Sequence, residues 1–303
     1  MFAATQSNTA AALNAHAARA AIERSPGYWA TVWRRFRRDP VAMSAGAVVL
    51  AIILMAIFAN FIAPHDPLQG MTLRRLRPPG TSGYWLGTDE LGRDMLSRLI
   101  YGGRISLFMG LTPVFLALFI GAAIGIVAGY TGGWTNTLLM RTIDVFFAFP
   151  SVLLAVALSG AMGAGIVNGV IALTLVFIPP IARVAESVTT SVRSRDYVEA
   201  ARASGADAFT IIRKHVLGNV LGPIFVYAMS LIAVSMILAS GLSFLGLGVK
   251  PPQPDWGLML NTLRTAIYSQ PLLCALPGVM IFITSISFNL LTDGLRSAMD
   301  IKS

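Results

Sequence analysis

The chain has 303 residues, 55% of them hydrophobic and only 12% charged, with a formal net charge of +9. Soluble domains carry about 25% charged residues, so this deficit excludes an ordinary soluble domain and indicates a polytopic membrane protein. The positive excess would suggest nucleic acid in a soluble protein, but retention of Arg on the cytoplasmic side of a membrane is a sufficient cause, and no nucleic-acid partner is expected.

Residues 1–25 are Ala-rich with Ser, Asn, Thr and Gln, and read as a flexible tail that lacks the layout of a signal peptide. Residues 26–40 follow as a cytoplasmic interfacial segment. Tyr28, Trp29, Val32, Trp33 and Phe36 recur at helical spacing with Arg34, Arg35, Arg37 and Arg38 beside them. Such a helix lies in the headgroup plane; a plain juxtamembrane basic cluster is the alternative. The remaining 41–303 form a transmembrane domain with six apolar segments at about 41–63, 105–130, 142–162, 165–185, 219–246 and 273–292. Each is close to the roughly 20 residues that cross a bilayer, and only a helix satisfies its own backbone there, so an all-α fold is expected.

Basic residues set the orientation. Arg34 to Arg38 and the loop 186–218, with Arg193, Arg195, Arg202, Arg213 and Lys214, both fall in the cytoplasm if the amino and carboxyl ends are inside. The outer segment 64–104 resists this rule. Arg93 and Arg98 have Asp89, Glu90 and Asp94 nearby, but Arg74, Arg75 and Arg77 have no acidic neighbour between Gly70 and Ser82. Those three are expected to face a partner outside or outer-leaflet headgroups.

Four stretches carry the pattern. Residues 196–217 read as a polar helix–turn–helix between two spans. Asp196 is a candidate cap for its first helix, Gly205 for the left-handed turn, and Asp207 caps the second. Glu199 and Arg202 stand one turn apart, and Ala200, Ala201, Ala203 and Ser204 are small, which suits close approach of a partner. Residues 86–107 read as an amphipathic helix on the outer interface, opening at Thr88 or Asp89, with Arg93, Asp94, Ser97 and Arg98 opposite an apolar face, and leading through Gly102-Gly103 into the second span; a simple elbow before that span is the alternative. At 243–260, Gly246, Gly248 and three prolines end a helix before Asp255 and Trp256, which are placed at the outer interface. Gly121, Gly125 and Gly129 repeat every four residues and permit close helix crossing. Asp144, with Arg141 one turn before it, and Asn289 and Asp293 lie near span ends, where ion pairing is the simpler role.

Several features are missing. The chain has one cysteine, Cys274, and its histidines, His16, His65 and His215, share no ligand spacing, so no metal or catalytic site is expected. No phosphate-binding loop of the G-x-x-x-x-G-K-[ST] type occurs, so ATP and Mg are expected only in partner subunits. A proton-coupled secondary transporter would need acids or His at mid-span, and an intramembrane hydrolase a Ser/His or Asp pair there.

Glu199-Ala200-Ala201, then Gly205, then His215-Val216-Leu217 resembles the EAA coupling loop of ABC-transporter permeases. LGTDELGRDMLSRLIYGGRISL at 86–107 and SFLGLGVKPPQPDWGLML at 243–260 resemble blocks of the C-type transmembrane subunit of bacterial dipeptide, oligopeptide and nickel ABC importers. One departure is Gly218, where the family usually has Pro. The resemblance implies a multi-pass inner-membrane permease of the type I importer fold, half of a pore completed by a homologous B-type subunit. It further implies two ATP-binding subunits docked on coupling loops, an extracytoplasmic binding protein outside, and no enzymatic activity in this chain. Peptides or peptide-like solutes are implied, with nickel chelates or opine-type solutes as the alternative within the family.

Overall fold

The computed structural model describes residues 28–299, and among them the regular elements are helical, apart from three isolated bridges in the outer segment. The tail expected at 1–25 lies outside the described residues, as do residues 300–303. Helix α1 (Tyr28–Phe36) turns into α2 (Pro40–Ile57) at Asp39, whose carboxylate accepts from the N–H groups of Val41 and Ala42 at 2.9 and 3.1 Å. Pro40 at the first helical position has no N–H to satisfy. The aromatic stripe of α1 is only partly free for lipid. Val32 and Phe36 are buried against Ala42 and Ala298, while Trp33 is exposed.

After the single turn α3 (Ala59–Ile62) and the outer segment come α4 (Met95–Thr131), α5 (Gly133–Phe147), α6 (Ser151–Met162) and α7 (Ile166–Arg193). Then follow α8 (Asp196–Ala203), α9 (Ala208–Ile211), α10 (Leu217–Phe244), α11 (Trp256–Leu263) and α12 (Pro271–Met299). Five helices are long and apolar enough to cross a membrane, and the bent pair α5–α6 passes the same test when its two helices are taken together as one broken span, which brings the number to six. Six crossings return the chain to its starting side. Packing agrees, because Leu295 and Met299 at the end of α12 rest on the cluster formed by Val32 and Phe36.

The third crossing differs from the single span expected at 142–162. Its two helices are bent by 87° at the break between them. Pro150 stands at that break, where it caps α6 without a side-chain hydrogen bond. A proline ring clashes with the carbonyl four residues back, so a continuous helix is costly there.

The core is α4 against α7. A Cβ on Gly121 would meet the carbonyl oxygen of Ile178 at 2.9 Å, and one on Gly129 that of Glu186 at 2.6 Å. The repeat in α4 is thus the groove into which the α7 backbone fits, as the spacing predicts. Helix α10 closes on the other side, where Gly110 admits Met236.

The outer segment corrects two expectations. The helix opens at Met95 with Asp94 as its cap, not at Thr88 or Asp89, although it does lead through Gly102-Gly103 into the span as expected. Its polar side is buried rather than wet. Arg93 and Arg98 both reach Asp89 Oδ2, at 2.7 and 3.1 Å, and Arg93 also pairs with Glu90 at 3.0 Å. Residues 64–90 fold over this face: the Arg98 guanidinium donates to the carbonyl of Pro67, and the N–H of His65 to Ser97 Oγ. Asp89, Arg93 and Arg98 are thus paired with one another, as removal from water demands, while Asp94 Oδ1 and Glu90 Oε2 are buried without a hydrogen-bond partner among the described residues.

Asp255 and Trp256 are likewise not at an interface. They are 2% and 0% exposed. The Trp256 indole N–H donates to the Leu99 carbonyl at 2.9 Å, and its ring lies in the slot left by Gly102 and Gly103. Asp255 caps α11 through the N–H of Leu258 and accepts from Ser106 Oγ at 2.7 Å. Burial pushes its carboxyl up, and these hydrogen bonds pull it back. This joint locks α11 to the start of α4, which is why the two residues are buried instead of reaching for lipid or a partner.

Candidate functional site: the polar hairpin

Between α7 and α10 the chain leaves the bundle as the hairpin α8–turn–α9. Three apolar side chains anchor it: Val198, Ile211 and Val216, all at most 1% exposed. Gly205 makes the turn with φ of +83°, a conformation that side-chain-bearing residues rarely adopt. Asp207 caps α9 by accepting from the Thr210 N–H at 3.3 Å. The hydrogen bonds from Thr210 hold its carboxyl below the usual carboxylate range. That contribution is present at neutral pH and is lost as pH falls through the lowered value.

Asp196 is not the cap expected for α8. Arg195 holds that position, and Asp196 lies in the first turn, where its charge still favours the helix N-terminus. The second arm also differs. It does not end at Leu217 but passes through a π-helical turn, Ile212–Val216, straight into α10. Gly218 lies within that continuous helix, so the missing proline leaves the exit helical.

With the anchors inward, the outward face carries Glu199, Ala200, Arg202, Ser204, Gly205 and Asp207, all exposed, with Ala201 half-buried beneath. Two aromatics escaped sequence reasoning: Phe209 is 70% exposed and Tyr197 44%. An exposed aromatic beside small residues is the composition of an interface anchor, and its spacing in TIIRKHV-like sequence gives no warning of that. Arg202 does not pair with Glu199 among the described residues. Its guanidinium sits over the Tyr130 ring at 5.9 Å, at the end of α4. Arg193 lies against Gly132 in the α4–α5 turn. The hairpin is therefore tied both to α7 and α10, which it joins, and to the end of α4.

The outer candidates are dispersed. Arg74 donates to the Tyr84 hydroxyl at 3.1 Å and lies over its ring, while Arg75 and Arg77 are exposed. Asp144 finds a partner that sequence reasoning missed: Arg183 on α7, with Arg141 at 3.6 Å on its other oxygen.

Residues 121–302 match the family of binding-protein-dependent transport system inner membrane components, and residues 27–79 match the N-terminal transmembrane domain of oligopeptide transport permease C. The chain belongs to this family. It is a transmembrane permease component of an ABC importer, not a catalytic subunit. The glutathione transport system permease protein GsiD of Pectobacterium atrosepticum is 42% identical over 274 residues, 90% of this chain and 91% of that protein. GsiD of Escherichia coli O6:K15:H31 is also 42% identical, over 90% of both. Among solved structures, the MetNI methionine ABC transporter in an inward-facing form shares the fold. Its TM-score is 0.56 at 19% identity, covering 67% of this chain and 97% of that one. The matched family range holds the hairpin and the α4–α7 groove.

Proposed function

We propose that this subunit forms half of the translocation path of a bacterial inner-membrane importer for peptides or peptide-like solutes. We further propose that the hairpin 196–217 is where an ATP-binding partner grips it. The observation that carries the reading is the hairpin's build: a polar, small-residue face with Phe209 and Tyr197 exposed, rigidly anchored to α4, α7 and α10. ATP binding and hydrolysis, with their Mg, fall to two partner subunits, and a homologous B-type permease completes the pore. Closure of the ATPases pushes the hairpin; its continuity with α7 and α10 converts that push into rocking of the bundle. No step involves covalent chemistry in this chain. The peptide class rests on the similarity to glutathione permeases over nine-tenths of both chains. The full complex, purified through a tag on this subunit, should carry ATPase activity and support ATP-dependent peptide uptake in proteoliposomes. Purification of the assembled membrane protein without any ATPase would defeat the reading.

At the outer face, Arg75 and Arg77, with Arg74 braced on Tyr84, orient an acidic patch of the extracytoplasmic binding protein. Exposed charges act chiefly on association rate and are screened by salt. Replacing all three with Gln should raise the apparent KM for loaded binding protein several-fold at low ionic strength and little at high. Equal KM values for the two proteins at low salt would end the docking role and favour contact with outer-leaflet headgroups instead. Helix α1, with Arg34, Arg37 and Arg38 beside the exposed Trp33, rests on the cytoplasmic leaflet.

A further inference from the structure

A cavity of about 580 Å³ opens where the outer end of α2 meets the start of α4. Its volume falls within the range of small-ligand sites, about 300–1,000 Å³. Asn60, His65 and Asp66 line it from α3 and the stretch that follows, Tyr101 and Arg104 from α4, and Gln253 from the loop before α11. Two of these carry charge that the chain does not neutralise. Arg104 donates from Nε to the Ala56 carbonyl at 2.6 Å and from Nη2 to the Ile57 carbonyl at 2.9 Å, both neutral acceptors. Asp66 accepts from the Leu68 N–H at 2.8 Å. Neither takes part in an ion pair among the described residues, whereas the nearby Asp89, Arg93 and Arg98 pair with one another. The third titratable group of the lining, His65, is turned to Asp94 and stacks on Tyr84.

The depth of the two charges follows from the helices. Helix α2 has 18 residues, about 27 Å at 1.5 Å per residue, close to a hydrocarbon layer of about 30 Å. Its start follows the basic cluster Arg34 to Arg38, so Ile57 at its end marks the outer edge of that layer. Arg104 holds the carbonyls of Ala56 and Ile57 and therefore stands at the same level. Its guanidinium lies over the Tyr101 ring at 5.0 Å, a pairing suited to the headgroup zone. Asp66 lies farther out. The N–H of its neighbour His65 donates to Ser97 Oγ, and Ser97 precedes Arg104 on α4 by seven residues, about 10 Å of helix. In the other direction the face of α4 that bears Arg104 is apolar and uncovered. Phe108, Phe115 and Phe119 recur there at helical spacing, and all three are exposed. A charged hollow at headgroup level thus continues into an apolar stripe at acyl-chain depth.

We propose that this cavity holds the headgroup of an outer-leaflet phospholipid of the phosphoethanolamine class. Arg104 takes the phosphate, Asp66 takes the ammonium group, and the amides of Asn60 and Gln253 donate to the remaining oxygens. The acyl chains run along Phe108, Phe115 and Phe119. The order of charges decides for this lipid. In such a headgroup the phosphate lies nearer the acyl chains and the amine farther out, as Arg104 and Asp66 do. A lipid with phosphate alone would leave the Asp66 carboxylate unmatched and beside a second anion, which costs affinity. The inference goes beyond the importer reading and holds whatever solute the complex carries, since it concerns the joint between α2 and α4.

The test is photolabelling of the whole complex in phosphatidylglycerol vesicles. The probes are trace phosphatidylethanolamine and trace phosphatidylglycerol, each with a diazirine in its acyl chain, and adducts are mapped by peptide mass spectrometry. Phe282, exposed on α12, is the reference for ordinary lipid contact. In wild type the segment around Phe108 should take about tenfold more ethanolamine probe than glycerol probe, the scale of one charge-assisted hydrogen bond. The Phe282 segment should take the two equally. Asp66→Asn is isosteric and still accepts from the Leu68 N–H; it should bring the preference at Phe108 close to one. Arg104→Gln should lower both yields there several-fold and leave Phe282 unchanged. If Arg104→Gln does not assemble, Asp66→Asn decides by itself. An equal yield of the two probes at Phe108 in wild type, or a preference untouched by Asp66→Asn, would show ordinary lipid contact only and overturn the proposal. Labelling at Phe282 with none at Phe108 would show that another subunit covers this face, and would overturn it too.

Discussion

Gly205→Val should abolish most uptake while the protein still accumulates in the membrane. The turn is held at φ of +83°, and a Cβ built there meets nothing within 4 Å. No clash occurs, so the whole effect is backbone strain, about 1–3 kcal/mol for a β-branched residue in the left-handed region. The bundle does not bear that cost, because the turn is exposed and outside the α4–α7 core. The hairpin relaxes by opening, and its docking face is lost. Transport should fall about tenfold or more, with normal yield of the membrane protein. Gly205→Asn, which tolerates the left-handed turn, should keep most activity, and Gly205→Ala should fall between. Uptake assays beside immunoblots of the membrane fraction check the series. Normal transport by Gly205→Val would remove the hairpin from the mechanism.

Gly125→Val should fail in the opposite way. A Cβ there would meet the Ala182 carbonyl, the Ala185 side chain, and the Glu186 nitrogen at 2.8 Å. These are backbone and near-backbone atoms of α7, which cannot rotate away. The helices must separate, and overpacking of this kind costs about 1–3 kcal/mol or more. Because α4 and α7 form the centre of the bundle, the membrane protein itself should be depleted, and uptake with it. Gly133→Val is the comparison in the same region, since nothing lies within 4 Å of a Cβ there, although its φ of +50° still carries strain. Wild-type accumulation of Gly125→Val would contradict the groove assignment.

The contrast between these two glycines shows what could be read from the sequence. Both were recognisable because their roles are local in pattern: one ends a polar helix, the other belongs to a four-residue repeat. Span positions were legible for the same reason, since apolar length reports crossing directly. The misreadings concern long-range partners. Trp256 has the residue type of a membrane interface, yet it fills a slot made by Gly102 and Gly103, some 150 positions earlier, and its N–H reaches Leu99. Arg93, Asp94, Ser97 and Arg98 do form one polar side, but residues 64–90 cover it, and nothing in the periodicity says which side is wet. Asp144 was visible as an intramembrane acid, whereas its partner Arg183 lies 39 residues on, in an otherwise apolar stretch of α7. The break of the third span left a single trace, Pro150. The exposed Phe209 and Tyr197 were hidden because helical pattern alone assigns aromatics to a core.

The central claim is that the hairpin 196–217 is gripped by an ATP-binding subunit, and site-directed crosslinking tests it most directly. Cys274, the single native cysteine, is first replaced by Ser. Single cysteines are then placed at Ala200 and Ser204, both exposed on the hairpin, and at Gly80, exposed on the outer segment. Membranes containing the whole complex are treated with a short bifunctional thiol–amine reagent. The account predicts an adduct with an ATP-binding subunit from Ala200 and Ser204, with a yield that changes when ATP is added, and none from Gly80. An adduct between Gly80 and an ATP-binding subunit, or no such adduct from either hairpin position in a complex that hydrolyses ATP, would contradict it.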